Sequence, residues 1–380
     1  MMTRRGVLAT GTAAVTVLGL SGCQGEGLET ARAPWAQASV GFGDPRLDAL
    51  AYAVLAPSPH NRQPWLVRLE EDGFTLLADR TRLLPETDPP NRQIVLGLGA
   101  FLEMFRLAAA QKGRAVDAQL WPEGEPQPVL DDRPVARVRM VPGGTPDPLF
   151  AYALERRTNR TAFRDETVDR AALDRMARSA AGGLAGGAHG FGRAVEPGAV
   201  RRVAEIASAG WHQEVALART HEESITLTRV GAEAIAADPD GISLSGPMIG
   251  AYRRLGLMTP EKQRNPGSVA YKGALSFYDD LIDSARAFTW LTTPANDRAT
   301  QLRAGAAWVR YQLAAAREGL ALQPLSQVLQ EFPEMAPHYA AFHEAVSVRA
   351  PSRVQGLFRV GRAKAPPPSP RWPLESRLIT

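Results

Sequence analysis

The stretch Pro57-Ser58-Pro59-His60-Asn61-Arg62-Gln63-Pro64-Trp65 is a proline-bounded loop that separates two different sequence patterns. Before it, apolar residues from Leu47 to Val54 recur at helical spacing. After it, two short β-prone runs flank the turn Glu70-Glu71-Asp72-Gly73. The sequence therefore predicts a helix, this loop and a β-hairpin, in that order.

The polar side chains of this loop suit the edge of a planar heterocycle. Asn61 and Gln63 each carry an amide, which can match the alternating donors and acceptors of a pyrimidine-like ring. Arg62 adds a positive charge that would stabilise a reduced, anionic ring. An ordinary turn between a helix and a strand explains the same residues equally well.

A second polar group lies further along the chain, at Glu155-Arg156-Arg157-Thr158-Asn159-Arg160. Its arginines and hydroxyl suit a dianionic phosphate, because guanidinium groups form bidentate, charge-assisted hydrogen bonds. A solvated run of surface charge is the alternative that composition alone favours.

An internal repeat relates two helices of the chain. At one constant offset, Gly99, Leu107-Ala108-Ala109-Ala110 and Gly113 recur as Gly305, Leu313-Ala314-Ala315-Ala316 and Gly319. The helix predicted after Thr167 also resembles the one before Pro57, although the loop that follows it, at 182–187, lacks the Asn, Gln and Trp of its counterpart. The sequence therefore favours a duplicated architecture of two halves.

The two motifs together resemble those of the nitroreductase superfamily. The loop at 57–65 is similar to the family's Pro-Ser-x-x-Asn-x-Gln-Pro-Trp signature, and Arg156-Arg157-Thr158-Asn159-Arg160-x-x-Phe163 is similar to its Arg-Arg-Ser-x-Arg-x-Phe phosphate motif. The closing Arg359-Val360-Gly361 and Pro370-Arg371 also resemble the family's end. Ordinary members have the two motifs in the opposite order. With the repeat and the doubled length, this reversal resembles the fused, Acg-like branch of the family.

The resemblance implies an α+β, nitroreductase-like fold in which two tandem halves form an intramolecular pseudo-dimer, with helices around antiparallel or mixed sheets. It implies one FMN per chain, because one half has the Asn-Gln-Trp loop and the other has the arginine motif. The cofactor-binding residues that it implies are Ser58, Asn61, Arg62, Gln63, Arg156, Arg157, Thr158, Arg160, Arg359 and Arg362. No catalytic side chain separate from these is implied, since family members pass hydride through N5 of the flavin.

The implied activity is that of an FMN-dependent oxidoreductase of nitroreductase type. It would transfer reducing equivalents from NAD(P)H or a quinol to a small nitro- or quinone-like acceptor. The alternative is an FMN-binding or sequestering protein without turnover. An inserted segment at 210–272 has no counterpart in the first half and would cover the flavin as a lid.

The first residues predict export. Arg4 and Arg5 precede an apolar, small-residue stretch that ends at Cys23, which is typical of a twin-arginine signal at 1–22 followed by a lipidation site. We therefore expect a periplasmic or otherwise extracytoplasmic lipoprotein, anchored to the membrane at Cys23, with a tether at 23–43. The further boundaries predicted are a first half at 44–145 and a second half at 146–380, which ends in an arm at 354–380.

Charge and composition exclude other classes of function. The formal net charge is only +4 and no basic block is present, so nucleic-acid binding is not expected. His338 and His343 are five residues apart, which misses the spacing of a helical metal pair, and no metal site is expected.

Overall fold

The computed structural model describes residues 21–186 and 189–380, and for 21–26 it describes the backbone alone. The α-helices of these residues are α1 Ser21–Val40, α2 Pro45–Ala53, α3 Arg92–Ala110, α4 Arg170–Ala180, α5 Pro197–Ala216, α6 Ala218–Thr226, α7 Ala232–Ala237, α8 Pro247–Arg254, α9 Pro260–Arg264, α10 Val269–Asp283, α11 Arg298–Arg317 and α12 Ala336–Ala345. The strands are β1 Trp65–Glu70, β2 Gly73–Ala78, β3 Arg114–Leu120, β4 Ala136–Pro142, β5 Gly190–Ala194, β6 Thr228–Val230, β7 Ile242–Leu244, β8 Ala287–Thr293, β9 Ala321–Pro324, β10 Arg353–Gly361 and β11 Leu378–Ile379.

The two main sheets have the same strand order. One runs β1-β2-β4-β3 and the other β5-β8-β10-β9, and all of these neighbours are antiparallel. In each half two strands, a long helix and two further strands follow one another along the chain, with α3 and α11 as the equivalent helices. The predicted α+β class with antiparallel and mixed sheets is confirmed, since β11 adds to the first sheet parallel to β1.

The helices α3 and α11 cross at the centre of the molecule. A Cβ atom on Gly99 would stand 1.9 Å from the carbonyl oxygen of Leu302, and one on Gly305 would stand 2.0 Å from that of Leu96. The two contacts are reciprocal at the repeat offset, as in a two-fold symmetric interface between identical subunits. Although α3 is long and apolar enough to cross a membrane, most of it is buried, and it forms the core with α11.

The inserted segment is longer than predicted. It lies between β5 and β8, at the position of the hairpin turn that joins β1 and β2 in the first half. Neither predicted boundary interrupts the chain, because α5 continues through residue 210 and α10 continues through residue 272. Residues 195–286 therefore form the insertion, which includes α5 to α10 and the small β6-β7 sheet.

Both ends of the described chain are more ordered than predicted. The expected tether at 23–43 contains α1, which buries Ala31 and Trp35 and packs on the C-terminal segment, where Trp35 Nε1 donates to the Ser369 carbonyl at 2.8 Å. The expected arm at 354–380 begins with β10, an inner strand of the second sheet, and ends with β11 beside β1. Residues 1–20 of the predicted signal and the side chain of Cys23 lie outside the described part.

Candidate functional site

The loop after α2 has an unusual backbone. His60, Asn61 and Gln63 have φ angles of 45°, 53° and 52°, in the left-handed region that non-glycine residues rarely adopt. Ser58 braces this conformation, because its hydroxyl accepts a hydrogen bond from the Gln63 backbone N–H at 2.9 Å. Strained backbone of this kind persists only where surrounding contacts impose it, and such places cluster at binding sites.

The amides of Asn61 and Gln63 connect the loop to distant segments. Asn61 donates to the carbonyl of Pro370 at 3.1 Å and accepts from Arg371 at 2.5 Å. Gln63 is fully buried and its amide group donates to the carbonyl of Pro239 at 2.8 Å, while its oxygen accepts from the Trp372 backbone at 2.9 Å. In this structure, therefore, these side chains hold the C-terminal segment and the insertion against the loop.

The positive charge of Arg62 is compensated by the insertion. Asp240 is almost fully buried and pairs with Arg62 at 2.8 Å, with Arg82 at 2.7 Å and with Arg229 at 2.9 Å. Arg62 also donates to the carbonyls of Thr81 and Arg82. Its guanidinium group thus fastens the insertion to the first half.

Three other arginines meet on the opposite side of the loop. Arg156 and Arg371 both donate to the carbonyl of Leu55 at 3.0 Å, and Arg156 also donates to the amide oxygen of Gln312 on α11 at 3.1 Å. Arg157 donates to the carbonyls of Leu154 and Arg156. We call Arg156, Arg157, Arg371 and Gln312 the arginine cluster.

The arginine cluster has hydrogen-bonding capacity that no described residue uses. The Nε atoms of its three arginines and Nε2 of Gln312 are buried without an acceptor. Within the described part of the chain, no carboxylate forms an ion pair with any of these arginines. Burial and then the charge of Arg157 lower the pKa of Arg156 to about 9, and burial and the other two arginines lower the pKa of Arg371 well below its usual value. Buried donors and buried charge without acceptors are costly, and an anion would relieve both costs.

Trp35 of α1 covers the arginine cluster. Its ring centroid lies 5.8 Å from the guanidinium carbon of Arg156, 4.7 Å from that of Arg157 and 5.6 Å from that of Arg371. The electron-rich face of an indole ring attracts cations at such distances. The predicted tether thus supplies one wall of the candidate site.

Replacing Trp35 by Ala should lower the free energy of unfolding by about 3 kcal/mol, because a buried indole ring is lost and a cavity remains. Chemical denaturation would measure the loss. Trp35→Phe is the control, since it keeps an aromatic face and removes the hydrogen bond to Ser369. Equal losses in the two variants would mean that the ring itself contributes little.

Arg160 and Thr158 present free polar groups close to the loop. Arg160 has no hydrogen bond or ion pair within residues 21–186 and 189–380, and more than a third of its surface is accessible. The Thr158 hydroxyl likewise has no hydrogen-bond partner in those residues. Arg160 is close enough to His60 and to Tyr278 of α10 to affect the pKa of each. These groups can accept a ligand without breaking an existing contact.

His60 should make the protein less stable in mild acid. Burial, followed by the charges of Arg160 and Arg62, lowers the pKa of His60 to about 4, against about 6.5 in the unfolded chain. The folded protein therefore binds fewer protons between pH 6.5 and 4, and its free energy of unfolding should fall across that window by an amount on the order of 2 kcal/mol. His60→Asn, which tolerates the left-handed backbone, should flatten this dependence in denaturant titrations. Parallel pH profiles for variant and parent would refute the shifted pKa.

Arg359 and Arg362 are placed differently from the sequence expectation, in which they add charge to the phosphate site. Arg359 is fully buried in β10 and donates only to neutral acceptors, among them Gln323 at 2.6 Å and the carbonyl of Thr161 at 2.8 Å. Arg362 donates to the carbonyl of Gly319 and lies 3.6 Å from Glu166. Arg371 stands in the cluster instead. The signal for it was the Pro370-Arg371 pair, which carries part of the family resemblance.

The position related to this site by the repeat is closed by ion pairs. Arg106 stands where α11 has Gln312, and it donates to the buried carboxylate of Glu103 at 2.7 Å. Arg310 bonds to Glu103 at 2.9 Å and to Asp147 at 2.7 Å. A Cβ atom on Gly183 would stand 2.2 Å from Glu103, so the loop at 182–186 packs directly on these carboxylates. Their presence gives this half no uncompensated positive charge at the equivalent place.

Comparison with curated proteins finds relatives among mycobacterial nitroreductases. One, named "Putative NAD(P)H nitroreductase" from Mycobacterium tuberculosis, is 27% identical over 344 residues, which cover 86% of this chain and 91% of the relative. The acg protein of the same organism, with the same description, is 39% identical over 74 residues, and this match spans 22% of that relative's length. No family model matches the chain.

Solved structures of flavin enzymes also align with the chain, at low similarity. An FMN- and NADPH-dependent nitroreductase NfnB mutant from a Sphingopyxis-type strain, printed as sphigopyxis, aligns at 17% identity and a TM-score of 0.37, over 60% of this chain and 96% of that one. NfnB from Mycobacterium smegmatis in complex with NADPH aligns at 14% identity and a TM-score of 0.34, over 55% and 85%. Over most of its length, this chain is therefore similar in sequence to proteins named as NAD(P)H nitroreductases.

Proposed function

We propose that the chain is an FMN-binding oxidoreductase of nitroreductase type that holds one flavin. The observation that carries the proposal is the arginine cluster, whose four buried donor nitrogens lack acceptors beside three guanidinium groups. A phosphate dianion would supply acceptors and compensate the charge together. The similarity to NAD(P)H nitroreductases over 86% of the chain supports a flavin as the bearer of that phosphate.

The rest of the flavin would lie toward the loop at 58–63. The hydrogen bond between Asn61 and Arg371 connects this loop directly to the arginine cluster. Arg160 and Thr158, whose polar groups are free, are available to the flavin without rearrangement. A bound flavin accepts and delivers hydride, and the protein's part is to orient the flavin and to limit access to its ring.

One flavin per chain is supported by the difference between the two halves. Glu103 and Asp147 compensate the arginines at the repeat-related position, whereas the arginine cluster has no such carboxylate among the described residues. A phosphate at the repeat-related position would meet two carboxylates, and like charges repel strongly in a buried environment.

A second candidate is an FMN-sequestering protein without turnover, and one observation favours it. The insertion contacts the loop directly, through the carbonyl of Pro239 on Gln63 and through Asp240 on Arg62. A flavin beside this loop would lie close to the insertion, which could prevent a nicotinamide from stacking on the ring. The two candidates share the binding site and differ in access to it.

The test of the proposed function is the visible spectrum of the purified chain, with its flavin content and its anaerobic response to NADPH. One FMN per chain that NADPH bleaches would support the oxidoreductase. Retained FMN that responds only to dithionite would favour sequestration. Riboflavin, which lacks the phosphate, should bind far more weakly than FMN. Equal affinity for the two, or no flavin binding, would refute the proposal.

Export and anchoring belong to the same proposal. The twin-arginine signal at 1–22 and lipidation of Cys23 would place the flavoprotein outside the cytoplasm, at a membrane surface. Proteins exported by this route are already folded, which agrees with a cofactor that is inserted before export. Both remain predictions from the sequence.

A further inference from the structure

Exposed apolar side chains are concentrated in one part of the insertion. Eight large hydrophobic residues are exposed among the described residues, and five of them lie between 247 and 277, namely Met248, Tyr252, Leu255, Val269 and Phe277. Met248 and Leu255 expose 66% and 71% of their surface. Scattered apolar residues are normal on a protein surface, but such a concentration marks an interaction site.

Three of the five form a stripe along α8. Met248, Tyr252 and Leu255 follow one another at intervals of four and three residues, which aligns them on one side of the helix. No residue of α8 is buried, so the helix lies on the surface with this stripe uncovered. An aromatic residue with a polar end, such as Tyr252, suits the boundary between water and lipid.

The same segment is strongly basic. Residues 247–277 contain five basic residues, Arg253, Arg254, Lys262, Arg264 and Lys272, and one acidic residue, Glu261, although basic and acidic residues are nearly balanced in the whole chain. Arg254, Lys262 and Lys272 are exposed and have no ion pair within the described part of the chain. Arg253 and Arg264 are partly compensated by Glu233 and Glu222. The charge therefore complements an anionic surface.

This segment also lies beside the N-terminal end of α1. A Cβ atom on Gly27 would stand 3.4 Å from the carbonyl oxygen of Ala232, at the start of α7. The adjoining residue, Glu233, pairs with Arg253 near the end of α8 at 3.4 Å. Four residues separate Gly27 from Cys23, or about 6 Å along a helix. A membrane held at Cys23 would therefore be close to α8.

We propose that α8, with its flanking basic residues, is a membrane-docking surface that lies in the headgroup region of an anionic lipid bilayer. Met248, Tyr252 and Leu255 would enter the boundary of the acyl chains, while Arg254, Lys262 and Lys272 would contact the lipid phosphates. The proposal is independent of the flavin. Docking of this kind would fix the orientation of the molecule on the membrane, which a flexible lipid anchor alone cannot do.

A fluorescent label at position 255 tests the proposal. Because Cys23 is the only cysteine, the full chain carrying Cys23→Ser and Leu255→Cys can be labelled at one site with an environment-sensitive dye. Vesicles containing phosphatidylglycerol should increase and blue-shift the emission, and phosphatidylcholine vesicles should do so much less. The matched control carries Val129→Cys, an exposed apolar position in the first half, and its label should not respond. Arg254→Gln and Lys262→Gln should each weaken binding about fivefold, because each basic residue near an anionic membrane contributes ~1 kcal/mol.

Four outcomes would overturn the proposal. The chain does not bind the vesicles; or it sediments with them while the label at 255 does not change; or the labels at 255 and 129 change equally. In the fourth, emission at 255 rises with protein concentration in the absence of vesicles, which would indicate that a second copy of the chain covers α8. A response to added protein alone, without lipid, would likewise assign the surface to a protein partner.

Discussion

Gly305→Ala should lower the free energy of unfolding by roughly 3 kcal/mol or more. The added Cβ would stand 2.0 Å from the carbonyl oxygen of Leu96 on α3. Both atoms belong to the rigid backbones of central helices, so no side chain can rotate to relieve the contact. The helices must separate, which loosens the best-packed part of the core.

Gly99→Ala should have a similar effect, because its Cβ would stand 1.9 Å from the carbonyl oxygen of Leu302. The double variant tests whether the two contacts are reciprocal. One separation of α3 from α11 would relieve both clashes, so the combined loss should be clearly smaller than the sum of the single losses.

Gly273→Ala is the matched control for these variants. Gly273 lies within α10 and no atom stands within 4 Å of its hypothetical Cβ. Replacing it by alanine should raise the free energy of unfolding by ~0.5–1 kcal/mol, because alanine restricts the unfolded chain. Urea denaturation of the three proteins would measure the differences. A Gly305→Ala protein as stable as the control would mean that the helices do not approach so closely.

The fold was predictable as far as local patterns determine it. The hairpin around Glu70-Glu71-Asp72-Gly73 was predicted and is formed by β1 and β2, and the repeated glycines are at the helix crossing. The shared strand order was not predictable, because it depends on pairing between segments that are far apart in sequence. The helix α1 escaped notice because it has no amphipathic pattern and contains Pro34. Its burial depends on contacts such as that of Trp35 with Ser369.

The residues of the candidate site were predictable by type but not by partner. Composition cannot distinguish a free arginine from a compensated one. Arg62 is compensated by Asp240, which lies far along the chain, and Arg359 is surrounded by neutral acceptors. Arg371, which joins Arg156, follows a proline-rich segment whose path no local pattern determines. The structure therefore adds to the prediction a measure of which positive charges remain uncompensated.

Arg371→Ala should weaken FMN binding by about 10- to 150-fold. A hydrogen bond to a charged group contributes ~1.5–3 kcal/mol, and the variant removes a guanidinium group whose buried Nε has no acceptor in the described protein. Riboflavin affinity should change little, because riboflavin has no phosphate to lose. Fluorescence titration of the flavin-free protein with FMN and with riboflavin would measure both affinities.

Arg371 also supports the carbonyls of Leu55 and Ala56, so loss of binding could follow from a disturbed loop. Arg157→Gln separates these causes, because Arg157 bonds only to the nearby carbonyls of Leu154 and Arg156. It should weaken FMN binding to a similar degree while the unfolding transition stays close to that of the parent. Arg362→Ala is the control, since this arginine was expected from the sequence to hold phosphate and lies instead beside Glu166. If Arg362→Ala loses FMN while Arg157→Gln and Arg371→Ala retain it, the phosphate site is at the end of β10 and not in the arginine cluster.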